Sequence, residues 1–138
     1  MIKIQQIHLT DTIRNFIFQG FSEHAINSIG FDGIGREQIT FTAYDEGEIV
    51  GTISVLTFFG ALWIKYFFIK ENYRNEGIGS QLMNSALKFG KDAGLTFAFV
   101  ETLSFQALKF YEKNGFKLEF TRSGFQAGIS FHYLRKYL

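Results

Sequence analysis

The sequence predicts an α+β (mixed α/β) fold: a mixed sheet of six to seven strands, mostly antiparallel with one parallel pair, and helices on both faces. Three observations predict it. The alternating segments "QITFTAY", "EIVGTISVL" and "ALWIKYFFI" follow one another across short glycine-bearing turns and read as antiparallel neighbours. The apolar period then becomes helical from Gly77, and the nearly continuous apolar run "TFAFVETL" comes after it. A right-handed crossover through that helix sets "TFAFVETL" parallel to "ALWIKYFFI". Finally, "FKLEFTR" and "ISFHYLRKYL" read as two closing strands.

Taken in order, "IKIQQI" alternates like a first strand, and Thr10 is placed to cap a helix from Asp11 to about Asn27. The glycine-marked loop "GFDGIG" follows. The turn "DEGE" offers Gly47 for a positive φ between the first two hairpin strands. In the long helix, Ile78, Leu82, Ala86, Phe89 and Ala93 fall on one side, with Gln81, Asn84, Ser85, Lys88 and Asp92 opposite, and Gly94 ends it. "TFAFVETL" reads as a central strand buried on both faces. A short helix, "FQALKFYEKN", is stopped by Gly115. With no linker and no repeat, residues 1–138 read as one domain.

Composition narrows the function classes. A 138-residue chain with 46% hydrophobic and 20% charged residues can build a core without staples. A net charge of +1 gives no electrostatic case for a nucleic acid partner. The absence of cysteine excludes disulfides, a thiolate nucleophile and a sulfur-ligated metal, so no metal is expected. The opening "MIKIQQIHLTDT" lacks the pattern of a secretion signal, and Lys65 interrupts the most apolar run. The expectation is a cytoplasmic protein with no membrane partner. Its 18 phenylalanines are spread along the chain, as core residues are.

The chemistry concentrates in "YRNEGIGSQL". Gly77 and Gly79 remove Cβ atoms where a backbone must approach a ligand, and the first-turn N–H groups of the helix that follows suit an anion such as phosphate. A glycine turn that merely starts a helix would look the same. Among phosphate loops, a P-loop needs a lysine after the last glycine, and none follows Gly79. A dinucleotide fingerprint is opposed by Leu82 at the third glycine position and by the long loop "KENYRNE".

"YRNEGIGSQLM" resembles the Q/R-x-x-G-x-G/A diphosphate loop of the GNAT N-acetyltransferases, and "FYEKNGF" is similar to that family's second signature. The resemblance covers roughly residue 49 to the C-terminus. It implies a sheet splayed between its two parallel strands, with acetyl-CoA in the gap as acyl donor. It implies contacts to the cofactor from Arg74, Asn75, Glu76, Gly77, Ile78, Gly79 and Ser80, with Phe68 and Ile69 at the strand end and Ser104 beside the pantetheine arm. Tyr111 takes the position that faces the thioester sulfur. Asn75, Glu76, Glu71 and Ser104 depart from the commoner residues of the family.

Acetyl transfer needs a neutral amine, and a lysine-like amine costs about 4.6 kcal/mol to deprotonate at pH 7. Glu101 is the first candidate base, with Glu71, His132 and His24 behind it. Tyr111 offers a neutral donor to the departing thiolate. Backbone N–H groups near Phe68 and Ile69 would polarise the carbonyl. Without cysteine, transfer would be direct. The expected function is acetyl transfer from acetyl-CoA to a primary amine of a small molecule or peptide. The alternative is a non-catalytic acyl-CoA-binding sensor or scaffold. The acceptor would approach from the first helix and the loop through Gly35, past Phe18, Phe21 and Phe31. A closing strand left exposed could pair with a second copy in a homodimer.

Overall fold

The structure, a computed structural model, describes residues 1–35 and 37–138. They form two compact units, Met1–Ile34 and Gly35–Leu138.

In the first unit, Thr10 caps helix α1 (Asp11–Ile29), its hydroxyl accepting the Ile13 N–H at 3.2 Å. Gly30, at φ 88°, ends it and donates its N–H to the Ile26 carbonyl. The helix runs past Asn27 because Gly30 is the residue that takes up the left-handed geometry of the cap. The expected first strand is not formed: residues 1–10 carry no regular structure, and Ile2 and Ile4 are fully open. Alternation alone does not make a strand, which also needs a partner ladder and a covered face.

The second unit is built on a sheet that has six strands among the described residues. They are β1 (Ile39–Asp45), β2 (Glu48–Phe58), β3 (Ala61–Ile69), β4 (Phe97–Leu103), β5 (Lys117–Arg122) and β6 (Phe131–Tyr137). Their order is β1-β2-β3-β4-β6-β5. All pairs are antiparallel except β3 with β4. The last strand is therefore interior: β6 enters between β4 and β5, leaving β5 at that edge. Glu46 and Gly47, both at positive φ, make the tight turn between β1 and β2.

Helices α2 (Ile78–Asp92) and α3 (Leu108–Lys113) complete the unit, with a 3-10 turn at Glu71–Tyr73. Leu82, Met83, Ala86 and Gly90 of α2 are buried against the sheet. A Cβ at Gly90 would lie 3.1 Å from Leu62, so the missing side chain sets how closely α2 lies on β3. The core runs through Ile53, Val55, Leu62, Ile64, Met83, Val100 and Leu134. Strand β4 is central but not buried on both faces. Ala98, Val100 and Thr102 point into the core, whereas Phe97, Phe99 and Leu103 are half-buried and Glu101 is exposed. Its continuous apolarity comes from aromatic rings that stack on the outer face, Phe99 lying 5.8 Å from Trp63.

Leu62 is fully buried. Truncating it should open a cavity between α2 and β3, and Leu62→Ala should lower unfolding free energy by about 3 kcal/mol in a urea titration.

Candidate functional site

The site begins where two strands part. The ladder between β3 and β4 spans only Leu62–Ile64 against Ala98–Val100. Beyond it, Tyr66–Ile69 stay paired with β2, while Glu101–Leu103 stay paired with β6. A bulge helps the divergence: Ile64 and Tyr66 oppose consecutive β2 residues, Val55 and Ser54, leaving Lys65 as the extra residue.

Backbone alternation then decides which donors face the fork. The Lys70 N–H donates to the Val50 carbonyl at 2.8 Å, so the N–H of Phe68 also points toward β2, and those of Phe67 and Ile69 point away from it. Of the two expected strand-end residues, Ile69 thus presents backbone to the fork. Phe68 presents an exposed ring, with the Arg74 guanidinium carbon 5.6 Å from its centroid. Ile69 is held from the other side by Gly51, where a Cβ would come within 2.6 Å of the Ile69 Cδ1.

The loop to α2 is aimed by two contacts. The Arg74 Nε donates to the Ile69 carbonyl at 2.9 Å, and the Tyr73 hydroxyl donates to Asp45 at 2.5 Å. Arg74 is therefore fixed along the strand end with its terminal nitrogens available. Asn75 (φ 63°) and Gly77 (φ 83°) bend the chain into the helix. The first-turn N–H groups of Ile78, Gly79 and Ser80 lie ahead of any intrahelical acceptor, and a Cβ on Gly77 would meet nothing within 4 Å. The space before the helix is open. Gly79 is small for a different reason: Phe110 lies 3.1 Å from its would-be Cβ. Glu76 is exposed and turned to the β1 side, where with Asp45 it contributes to raising the Tyr73 phenol's pKa, chiefly through the Asp45 hydrogen bond. On that side a cleft of about 530 Å³ is lined by Thr42, Asp45, Tyr73, Glu76, Gln81 and Ser85. Its two carboxylates make it a poor home for a diphosphate.

Tyr111 lies on α3 and is 4% exposed. Its ring meets Phe67 at 6.2 Å and Phe110 and Phe116 at 5.6 Å, all edge to face. Burial among these rings pushes its pKa up to about 12. The start of α3 is bracketed by Gln106, which accepts the Leu103 N–H at 2.9 Å, and by the buried Thr102, which accepts from Ala107. Ser104 is tied to Ser130, accepting its N–H at 3.0 Å and donating its own N–H at 2.9 Å to the Ser130 carbonyl; the hydroxyl proton remains to donate.

The fork, the loop and Tyr111 thus come together on the α2 side of the sheet. Glu101 faces the other way, paired in register with Tyr133. Glu71 is exposed on the 3-10 turn, His132 bonds Thr121 through Nδ1 at 2.8 Å, and His24 lies on α1. Sequence reasoning missed Phe67 and Phe110 as walls beside Tyr111, and missed the Asp45 anchor of Tyr73. Phe67 was discoverable, since it sits two residues before Ile69 on the same side of β3.

This fold is that of an acetyltransferase domain. The model of the acetyltransferase (GNAT) domain matches residues 36–118, and the chain belongs to that family. The acetyltransferase Atu2258 of Agrobacterium fabrum (strain C58) is 27% identical over 92 residues, 67% of each chain. A crystal structure of an acetyltransferase from Bacillus cereus ATCC 14579 superposes with a TM-score of 0.82 at 23% identity, over 98% of both chains. A Bacillus anthracis str. Ames acetyltransferase solved with acetyl coenzyme A gives a TM-score of 0.66 at 23% identity, over 73% of this chain and 62% of that one. Among the described residues, no helix is long and apolar enough to cross a membrane.

The raised phenol pKa has a thermodynamic signature. The folded state is favoured by a protonated Tyr111 below about pH 10, and the advantage fades as pH rises from 10 toward about 12. Stability measured by denaturant titration should fall across that window, and Tyr111→Phe should flatten the fall.

Proposed function

We propose that the protein transfers an acetyl group from acetyl-CoA directly to a primary amine of a small molecule or peptide. The observation that carries this reading is the fork. Backbone donors at Ile69 and Phe67 face the opening between β3 and β4, the Tyr111 ring packs edge to face on Phe67, and α2 begins at Ile78 after the loop that Arg74 ties to the Ile69 carbonyl.

In this reading the diphosphate of acetyl-CoA is bound by the N–H groups of Ile78, Gly79 and Ser80, with Arg74 adding charge. Acetyl-CoA supplies the activated thioester. The Ile69 N–H polarises the carbonyl, and the pantetheine arm runs between the diverging strands, where the Ser104 hydroxyl can donate to it. The amine attacks the carbonyl carbon from the outer face, a C–N bond forms, and the C–S bond breaks. Glu101, exposed on that face, takes the amine proton. Tyr111 donates a hydrogen bond to the thiolate and keeps its proton: a phenol with a pKa of about 12 facing a thiol near 8.5 makes full transfer uphill by about 5 kcal/mol. The thiolate is then protonated by solvent. The reaction suits a cytoplasmic enzyme, where acetyl-CoA is made and used.

Acetyl-CoA and CoA should each raise the melting temperature while NAD should not, because only a ligand of the native state stabilises it. CoA release with a panel of amines, polyamines, amino acids and peptides should identify an acceptor. Release with none of them, alongside intact acetyl-CoA binding, would favour a sensor. With the acceptor in hand, Tyr111→Phe should lower kcat about tenfold to a hundredfold with little change in KM for acetyl-CoA. Glu101→Gln should abolish the acid limb of the pH–rate profile.

A further inference from the structure

Residues 70–77, which carry the chain from β3 into α2, have little backbone bonding to hold them. The Lys70 N–H still donates to Val50 of β2, and the N–H groups of Tyr73 and Arg74 close a single 3-10 turn on Lys70 and Glu71. After that turn the ladder stops. Among the described residues, the N–H groups of Asn75, Glu76 and Gly77 donate to no main-chain carbonyl, and Asn75 and Gly77 both sit at positive φ. The direction of the first turn of α2 is nevertheless set by this stretch.

Two side chains supply what the backbone does not. The Arg74 Nε binds the Ile69 carbonyl, five residues back in the chain. This contact closes the loop on the strand it came from, and by itself leaves the loop free to swing about that strand end. The Tyr73 hydroxyl reaches much farther, donating to Asp45 at 2.5 Å across a separation of 28 residues. Asp45 is firmly placed: it ends β1 and pairs with Glu48 across the tight turn of Glu46 and Gly47. The Tyr73 ring packs on the core, so core contact fixes the ring and Asp45 fixes the hydroxyl. A hydrogen bond to an ionised acceptor is stronger than one between neutral groups. It also keeps the phenol protonated, since the Asp45 bond is the chief cause of its raised pKa.

We infer that Asp45 is a positioning residue for acetyl-CoA: acting through Tyr73, it holds the loop so that Arg74 and the N–H groups of Ile78, Gly79 and Ser80 converge on the diphosphate. This rests on the acetyl-CoA reading given above and adds to it a residue that touches no part of the cofactor. Its charge makes the inference a sharp one. With Glu76, Asp45 places negative charge in the cleft between β1 and α2, so a purely electrostatic role would oppose an anionic ligand. Removing the carboxylate would then tighten binding. Asp45 is exposed, where screening weakens such a field, whereas a loop that swings must be ordered again each time several donors meet one ligand. Position therefore outweighs charge, and removing the carboxylate weakens binding.

The test is CoA binding by isothermal titration calorimetry, with urea midpoints confirming that each variant is folded. Asp45→Ala and Tyr73→Phe should each weaken CoA about tenfold, as expected for one hydrogen bond to a charged group. Because both break the same bond, the double variant should be no weaker than either single one. Asp45→Asn keeps an oxygen that can accept from the phenol and should retain most of the affinity. S-acetylpantetheine ends before the diphosphate, and its affinity, read by NMR titration, should be the same for Asp45→Ala and the wild type. Arg74→Ala serves as the control for the acetyl-CoA reading itself. CoA weakened by Arg74→Ala but unchanged or tightened by Asp45→Ala would overturn this inference and leave that reading standing. An equal loss of S-acetylpantetheine affinity in Asp45→Ala would also overturn it, and a wild-type chain that binds no CoA would overturn both.

Discussion

The structure turns on the separation of β3 from β4 after three paired residues. Each strand keeps its other neighbour, β2 or β6, so neither can follow its partner across the gap. In an ordinary sheet the donors of Phe67 and Ile69 would be consumed by the next strand. Here they face an opening, and unsatisfied backbone is held in place by hydrogen-bonded strands on both flanks. That is how a fold supplies preorganised polarity without a charged side chain.

The surroundings of the fork are arranged around this gap. The bulge at Lys65 turns the strand, Arg74 seals the Ile69 carbonyl, and the 3-10 turn is tied to the edge hairpin through Tyr73 and Asp45. Across the opening, Tyr111 is enclosed by three aromatic rings and by the bracketed start of α3. Its burial makes it a hydrogen-bond donor that does not readily lose its proton. The phenol thus presents a neutral donor and the Arg74 guanidinium a positive charge at the strand end, while Glu101 lies on the opposite face of the sheet.

Much of this was legible in the residues because the signals were local. The turn at Gly47, the cap at Thr10, the amphipathic period from Ile78 and the glycines of the loop each follow from short-range geometry. The parallel pairing of β3 and β4 followed from crossover handedness. What failed depended on partners far away in the chain. The alternation of "IKIQQI" carries no information on whether a neighbour exists, and the apolar run of β4 could not distinguish burial on two faces from a stacked outer surface. The insertion of β6 between β4 and β5 is likewise a matter of topology. At the site, Tyr111 was named from the resemblance of "FYEKNGF" to a family signature, whereas only the backbone alternation separates Ile69, whose N–H faces the fork, from Phe68.

Gly51 carries a consequence of its own. It lies on β2, touches no ligand in any reading of the site, and leaves no room for a methyl group beside the Ile69 side chain. Any larger residue there would have to displace the Ile69 δ-methyl, and with it the packing of the strand end that borders the fork. A survey of variants that judged positions by nearness to the reacting atoms would overlook it.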